Sequence, residues 1–299
     1  VTVYAAIAAN GLVTVSKFVV AVITRSSAML SEGIHSLADT GNQALLLLGI
    51  RLGRRPADAN HPFGYGKEIF FWSLIVAIVL FGVGGGISLY EGVVHLRSPA
   101  ELSDPTGNYI VIGLAALFES TSFFIAHRRL RAAHPGDRLL LAVHRSKNPE
   151  NFLVVFEDAA ALAGLLIAFL GVFLSHQMQL PVLDAIASII IAVILMVVAV
   201  FLAYESRELL LGEAVDTEII DAILHIAEGD PAVRSAGRPV TMHLGPDKVL
   251  LNMDLNFSEG IESIQVVEAV DRIEARIQSE YPFVQKIYLE AEGLKTIAG

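Results

Sequence analysis

The chain has 299 residues, of which 54% are hydrophobic and only 17% charged, and its mean hydropathy is +0.59. Soluble domains usually carry about 25% charged residues, so a water-soluble globular protein is nearly excluded. The net charge of −10 argues against nucleic acid as a partner, and the lack of cysteine excludes disulfides and thiolate metal sites. Metal cations remain as a class of binding partner, and His, Asp, Glu or Asn side chains would have to coordinate them.

Charge divides the chain into two parts. Residues 1–212 hold 14 Lys and Arg against 15 Asp and Glu, whereas residues 213–299 hold 7 against 16. We therefore expect an apolar transmembrane domain over residues 1–208 and an acidic domain over residues 209–299.

Six segments of the first part are predicted to cross a lipid bilayer, because a spanning helix needs about 20 mostly apolar residues. They are residues 3–24, 30–50, 69–90, 108–126, 159–183 and 185–204. Lys and Arg gather in the loops after the second and fourth segments, ten residues against two on the opposite side. This bias predicts an integral membrane protein with both termini in the cytoplasm, and we expect it in a bacterial inner membrane.

The second part shows the pattern helix, strand, strand, helix, strand. Apolar residues at helical spacing cover 219–227 and 263–279, and strands are predicted at 239–244, 248–257 and 283–289. The turn signal Gly245-Pro246-Asp247 separates the first two strands. The predicted fold is thus an all-α six-helix transmembrane domain followed by a cytoplasmic α+β domain, αββαβ, with a ferredoxin-like arrangement.

Ionisable residues inside the spans are costly, and this makes them functional candidates. His35 and Asp39 of the second span are four residues apart and share one helix face, and Asn42 follows on the same side. Glu157 and Asp158 stand together at the start of the fifth span. We expect facing helices to place His35, Asp39 and Asp158 around one divalent ion, with Glu157, Asn42 or water completing the shell. Four nitrogen and oxygen ligands suit Zn²⁺.

Structural interpretations of these residues stay open at this point. A His in a span can form a hydrogen bond between helices, and Asp39 can pair with Lys17 of the first span. Glu119 is alone in the fourth span, which favours a structural or water-lining role for it.

Two stretches carry a family resemblance. Residues 27–42, SAMLSEGIHSLADTGN, resemble the second span of the cation diffusion facilitator family. Residues 56–68, PADANHPFGYGKE, resemble the loop before the third span of that family. With six spans and an αββαβ domain, the resemblance covers almost the whole chain and implies a homodimeric transporter.

The resemblance implies that spans 2 and 5 hold the transported metal. His35 and Asp39 match the metal-binding pair of span 2, and Asp158 matches the Asp of span 5. The His that the family has in span 5 is Val154 here, which cannot bind metal, and Glu157 is the nearest substitute.

A second metal site in the loop after span 2 is also implied by the resemblance. Asp58 and His61 match two of its ligands, but the third position, often His, is Tyr65. We expect a weakened site there, with a loop held by ordinary hydrogen bonds as the alternative. The zinc ligands of the family's cytoplasmic domain are missing, so His225 and His243 are expected to be structural.

Gly82 and Gly86 of the third span have a spacing that allows close helix approach. The resemblance places the contact between two protomers near this span and the cytoplasmic domains. Packing within one protomer is the alternative.

Together these features predict a secondary transporter, not an enzyme, that exports a divalent metal, above all Zn²⁺, from the cytosol in exchange for H⁺. Metal ligands must lose protons before they bind, which gives this exchange a physical basis. The extra carboxylate makes Mn²⁺ or Fe²⁺ transport the first alternative. A membrane-anchored metal sensor is the second, and a membrane enzyme is least favoured because no nucleophile or phosphate-binding loop accompanies the His-Asp pair.

Overall fold

The computed structural model describes residues 2–99, 104–133 and 149–292. The chain divides into two compact units, one of Val1–Arg51 with Phe70–Arg207 and one of Leu52–Ile69 with Glu208–Gly299. Three of the basic residues that predict the orientation, Arg138, Arg145 and Lys147, lie outside the described residues.

Helices account for the first unit. They are α1 (Thr2–Thr24), α2 (Ser27–Gly53), α3 (Glu68–Val79), a π-helical segment (Leu80–Ile87), α4 (Ser88–Arg97), α5 (Thr106–Ala133), α6 (Pro149–Met178) and α7 (Val182–Leu211). Four helices in the described parts are long and apolar enough to cross a membrane: Glu68–Arg97, Thr106–Arg128, Leu153–Met178 and Val182–Leu211. The first of these joins α3, the π-helical segment and α4.

The other two predicted spans, α1 and α2, do not belong to this set. In α1 the described side chains begin at Gly11, and Gly11–Thr24 is an apolar helix shorter than a membrane span. Helix α2 has 27 residues, but its ionisable side chains, among them Glu32, His35 and Asp39, lower its hydropathy. Four spans are therefore established by length and composition, and the count of six stays a prediction.

A carboxylate from α7 holds the start of α2. Asp184 Oδ2 accepts hydrogen bonds from the backbone N–H groups of Ser27 (2.6 Å) and Ala28 (3.3 Å) and from the Ser27 hydroxyl (3.0 Å). Its Oδ1 accepts one from the Ser26 hydroxyl at 2.7 Å. The first N–H groups of a helix have no partner within the helix. Asp184 thus caps α2 from a neighbouring helix.

The glycines of the π-helical segment differ in their surroundings. Gly85 packs so closely on α7 that an added Cβ would lie 2.5 Å from Met196 Cγ. Among the described residues, a Cβ on Gly82 would have no atom within 4 Å, and one on Gly86 would meet only the Phe81 carbonyl of its own helix. Within the described part of the chain, the predicted pair Gly82 and Gly86 therefore packs against no other helix.

The second unit contains a sheet and two helices. Its elements are α8 (Thr217–Glu228), β1 (Val233–Ala236), β2 (Val240–Gly245), β3 (Lys248–Phe257), α9 (Ser263–Glu280) and β4 (Val284–Glu292). Strands β1 and β2 pair antiparallel with β3, and β4 runs parallel to β3 along its other edge. Alternate residues of β3, from Val249 to Leu255, are at most 2% exposed and form one core with Ile223 of α8 and with Ile273 and Ile277 of α9.

One element of this unit is missing from the predicted pattern. The structure has β1 before the predicted first strand, so the order is αβββαβ instead of αββαβ. Strands β1 and β2 lie on the same edge of β3, where Val233 faces Phe257 and Val240 faces Asn252. The four residues of β1 are too few to show a clear alternation, and Pro239 lacks the N–H that would continue the ladder.

The loop Leu52–Ile69 belongs to the second unit. A Cβ on Gly66 would overlap the carbonyl oxygen of Leu244, so only glycine allows this close backbone approach. The Lys67 ammonium donates a hydrogen bond to the Leu210 carbonyl at 3.3 Å. The loop is thus packed structure and more than a connection between two helices.

Candidate functional site

The middle of α2 carries polar side chains at helical spacing. His35 is fully buried, and its Nδ1 lies 3.4 Å from Asp39 Oδ1. This is the neighbour relation that a separation of four residues predicts. Asn42 is also buried, one turn further along the helix.

Several polar atoms in this region are buried without a hydrogen-bond partner in the described part of the chain. They are both ring nitrogens of His35 and one oxygen each of Asp39, Asn42 and Asp158. Buried polar atoms are normally paired, and an unpaired one costs about 1–3 kcal/mol. Nitrogen and oxygen atoms left free in this way, inside an apolar bundle, are suited to a cation.

A cavity of about 570 Å³ lies among α1, α2, α5 and α6. Four carboxylates line it: Asp39, Glu119, Glu157 and Asp158. Val154 also lines it, so the cavity wall is apolar at the position where the family resemblance leads us to expect a His. The structure therefore brings together Asp39 of the second predicted span with Glu157 and Asp158 of the fifth.

Glu157 and Asp158 turn toward different neighbours. Asn42 Nδ2 of α2 donates a hydrogen bond to Glu157 Oε1 at 2.9 Å. Asp158 accepts a hydrogen bond from the Ser122 hydroxyl of α5. Adjacent residues of an α-helix point about 100° apart, which explains why one carboxylate faces α2 and the other faces α5.

These side chains share a region but do not form a complete coordination shell. Among the described residues, no group of three or more His, Asp or Glu side chains lies in position to hold one metal ion. His35 does not line the cavity, although Asp39 beside it does. The suggested pairing of Lys17 with Asp39 is replaced by a contact of Lys17 with Glu32 at 3.0 Å.

Glu119 of α5 is a cavity residue that the sequence does not assign to the site. It is the one charged residue of the predicted span 108–126 and gives no spacing pattern, which favours a structural or water-lining role from the sequence alone. Only the packing of α5 near α2 and α6 places it with the other three carboxylates. No signal in a single sequence could have revealed this convergence.

The loop pair Asp58 and His61 lies in an exposed hydrogen-bonded turn. Asp58 Oδ2 accepts a hydrogen bond from the Tyr65 hydroxyl at 2.7 Å, and its Oδ1 accepts bonds from the backbone N–H groups of His61 (2.7 Å) and Asn60 (3.0 Å). These bonds, the Tyr65 bond above all, hold the pKa of the Asp58 carboxyl below its usual value. Both oxygens of Asp58 are therefore already engaged by protein donors.

The two histidines of the second unit bond to main-chain carbonyls. His225 Nδ1 lies 2.7 Å from the Asp221 carbonyl oxygen, and His243 Nδ1 lies 2.7 Å from that of Glu213. Within the described residues, neither histidine belongs to a group of three metal-ligand side chains. The carbonyl bonds fix the orientation of both rings, and the structural role of the two histidines stays a prediction.

Comparison with known proteins identifies relatives along most of the chain. Residues 3–211 match the family model described as the cation efflux transmembrane domain. The chain is 31% identical over 268 residues to the mitochondrial proton-coupled zinc antiporter SLC30A9 of Mus musculus, covering 89% of this chain and 47% of that protein. It thus spans about half the length of that relative.

Two further relatives and one solved structure extend this comparison. Metal tolerance protein C4 of Arabidopsis thaliana is 31% identical over 325 residues, which cover 94% of this chain and 71% of that protein. The magnetosome protein MamB of Magnetospirillum gryphiswaldense is 26% identical over 295 residues, covering 95% and 90%. A nickel form of the MamM CTD shows 18% identity at a TM-score of 0.25 and covers 27% of this chain and 100% of that one.

The family match and the relative from Arabidopsis confirm the resemblance that the two sequence stretches indicated. Both cover well over half of this chain. The apolar helices agree with an integral membrane protein. The chain belongs to the cation diffusion facilitator family, a family of metal-cation transporters.

Proposed function

We propose that this protein is a secondary active transporter that exports Zn²⁺ from the cytosol in exchange for H⁺. The observation that carries the proposal is the buried His35, whose ring nitrogens have no hydrogen-bond partner in the described part of the chain, beside an acidic cavity. Similarity to a proton-coupled zinc antiporter supports the choice of zinc and of protons.

His35, Asp39 and Asp158 are the proposed metal ligands, and Glu157 or Asn42 completes the shell. His35 and Asp39 are already adjacent on α2, while Asp158 and Glu157 reach the same region from α6. Their side chains do not yet converge on one point. We therefore propose that the metal draws α2 and α6 together when it binds.

The same residues provide the exchange with protons. Carboxylates and imidazole bind a metal only in their deprotonated forms, so metal entry releases protons and proton entry releases metal. Alternating exposure of this site to the two sides of the membrane would couple the two fluxes.

The proposed architecture has six spans and a cytoplasmic second unit. Arg51 lies in the last turn of α2, Arg54 and Arg55 follow that helix, and Arg128 and Arg131 lie near the end of α5. Positive charge at these helix ends favours a cytoplasmic position for them. On this basis the start of α2 and the start of α7 lie at the outward face. A bacterial inner membrane is the proposed location.

We further propose that two copies of the chain assemble through the third span. Gly82 and Gly86 lie on the same stretch of helix and leave open space in the protomer. A second protomer approaching there would use the small-residue spacing that allows close helix contact.

A manganese or iron substrate is the second candidate. It is favoured by one observation, that Val154 stands where a His is expected while three further carboxylates line the same cavity as Asp39. Oxygen ligands shift the preference of a site toward harder divalent ions such as Mn²⁺.

Uptake into proteoliposomes tests both candidates. The purified full chain, reconstituted in vesicles with an imposed pH gradient, should accumulate Zn²⁺ faster than vesicles that contain the Asp39→Ala variant. Reversing the gradient should reverse the flux. Equal rates with both proteins, or a flux that ignores the pH gradient, would contradict the proposal. Preference for Mn²⁺ or Fe²⁺ in competition would select the second candidate.

A further inference from the structure

A lysine is buried inside the helical unit next to the candidate site. Lys17 of α1 is fully buried, and its Nζ donates hydrogen bonds to Glu32 Oε2 at 3.0 Å and to the Ser36 hydroxyl at 2.7 Å. A charged amine within a span is costly unless it is paired, and such residues mark ion pathways.

Both partners of Lys17 lie on the stripe of α2 that carries the candidate site. Glu32 precedes His35 by three residues, and Ser36 follows it directly. Ser36 also lines the acidic cavity. Lys17 is therefore in contact with the boundary of the cavity, on the side that faces the start of α2.

The pair also reaches α6, the second helix of the candidate site. A Cβ on Gly164 would overlap Glu32 Oε1, and this oxygen has no hydrogen-bond partner in the described residues. Three helices thus meet at one buried carboxylate. Because Gly164 lacks a side chain, Glu32 can lie directly against α6.

The cavity extends away from Lys17 in all of its helices. Its lining on α2 runs from Ser36 to Gln43, toward the end of that helix, and its lining on α6 runs from Val154 to Asp158, near the beginning of that helix. In the proposed orientation both regions lie on the side of the cavity that faces the cytoplasm. The Lys17–Glu32 pair fills the opposite, outward side.

We propose that Lys17 is a resident cation on the outward half of the metal path. It occupies Glu32 and Ser36, and its positive charge repels a metal ion that moves from Asp39 toward the start of α2. The path opens outward when Lys17 separates from Glu32, which then becomes the next carboxylate available to the departing metal. This inference rests on the proposed transport function and names a positioning residue for it.

Thiol labelling tests the inference, since the chain contains no cysteine of its own. Two single-cysteine reporters are suited to the purpose, Gln43→Cys in the cavity and Ala168→Cys on α6. Ala168 is fully buried and lies one turn beyond Gly164. The full chain is reconstituted in vesicles without metal, and a membrane-impermeant maleimide is added from either side.

In the otherwise unchanged protein, the thiol at position 43 should react and the thiol at position 168 should not. Lys17→Met should raise labelling at position 168 about tenfold by shifting a minor outward-open population, and should lower labelling at position 43. Lys17→Arg keeps the charge and should behave as the parent. Glu32→Gln preserves the size of the side chain and should change the labelling in the same direction as Lys17→Met. It replaces Lys17→Met in the experiment if Lys17→Met folds poorly.

Unchanged labelling in both Lys17→Met and Glu32→Gln would overturn the inference. An equal rise at positions 43 and 168 would also overturn it, because that is the result of loosened packing. The labelling requires no metal, so a failure of zinc uptake by the parent protein would contradict the proposed function and leave the labelling result to be judged separately.

Discussion

Two His–Asp pairs of nearly equal geometry lie in the two units of this protein. In α2, His35 Nδ1 is 3.4 Å from Asp39 Oδ1, and in the loop after it, His61 Nδ1 is 3.5 Å from Asp58 Oδ1. The side chains of the first pair are 0% and 16% exposed, those of the second 52% and 48%. The same two residue types are therefore placed in opposite environments.

The hydrogen bonds of the two pairs differ even more than their exposure. Asp58 accepts bonds from Tyr65, Asn60 and His61, so the loop satisfies it completely. In contrast, Asp39 Oδ1 and both ring nitrogens of His35 have no hydrogen-bond partner among the described residues, although His35 Nδ1 and Asp39 Oδ1 lie near each other. His–Asp spacing alone therefore does not determine whether the ligand atoms of a pair are left without hydrogen bonds. Atoms that the fold leaves unpaired are what a metal can use.

The strongest test of this comparison removes the carboxylates of the buried site. Asp39→Ala and Asp158→Ala should each lower zinc uptake by more than about 100-fold, since changes to outer-shell partners alone cost 10–100-fold. Asp58→Ala is the matched control and should retain uptake. Size-exclusion chromatography and melting curves should show folded protein throughout. Normal uptake by either variant would mean that the site is misplaced.

The second test asks whether Glu157 belongs to the buried site. Glu157→Gln keeps the size of the side chain and an oxygen that can accept the bond from Asn42, but it cannot release a proton. We expect uptake to fall by about tenfold, the lower bound for loss of a supporting partner, and its pH dependence to flatten. Uptake measured across a pH series checks both. If affinity and pH profile stay unchanged, Glu157 lies outside the site and Asn42 or water completes the shell.

The loop pair can be converted toward the buried one. Tyr65→His removes the phenol that binds Asp58 and adds the third ligand expected from the family resemblance. In a chain that also carries Asp39→Ala and Asp158→Ala, zinc affinity of the loop should rise by at least about tenfold, since changes to outer-shell partners alone already alter metal affinity by about 10–100-fold. Calorimetry measures it. Tyr65→Phe frees Asp58 without adding a ligand, and an equal gain there would show that the third ligand is irrelevant.

The second unit should fold without the membrane helices, because its core is formed by its own helices and sheet. A fragment from Glu213 onward is expected to be soluble and to bind zinc more weakly than the full chain, since among the described residues neither His225 nor His243 belongs to a group of three metal-ligand side chains. Circular dichroism and calorimetry test this. Tight stoichiometric binding lost on His225→Ala or His243→Ala would contradict it.

The smallest effect concerns a fully paired carboxylate in the same unit. Arg272 Nε and Nη2 each donate to Asp230 at 2.9 Å, and these bonds hold the pKa of Asp230 below its usual value. Because the pKa of Asp230 is lower in the folded state, the ionised carboxylate stabilises that state at pH values above the ordinary pKa of Asp, about 3.9. This contribution is lost as the pH falls below about 3.9 and through the lowered pKa of the folded state. Arg272→Met should lower the melting temperature by several degrees at pH 7 and by less at pH 3. An equal decrease at both pH values would assign the effect to packing.

Residues close together in the chain were predictable from the sequence. The spacing of His35 and Asp39 predicted their contact, and the alternation from Val249 to Leu255 predicted the buried face of β3. Each of these features depends on a repeat of a single helix or strand, which the sequence displays directly.

Features that depend on several elements meeting were not predictable. Glu119 joins the cavity only because α5 packs beside α2 and α6. Strand β1 depends on pairing with the far end of β3, and the close approach of Gly66 depends on the Leu244 backbone. None of these contacts leaves a periodic trace in the chain, so each requires the folded structure.

The cap on α2 has an electrostatic consequence for metal release. The aligned peptide dipoles of a helix place roughly half a positive charge at its first turn, which repels cations. Asp184 sets a full negative charge against that turn through its bonds to Ser26, Ser27 and Ala28. The first turn of α2 lies at the outward face in the proposed orientation. Under the proposed transport function, a departing metal ion would therefore encounter a carboxylate where an uncapped helix would present its positive pole.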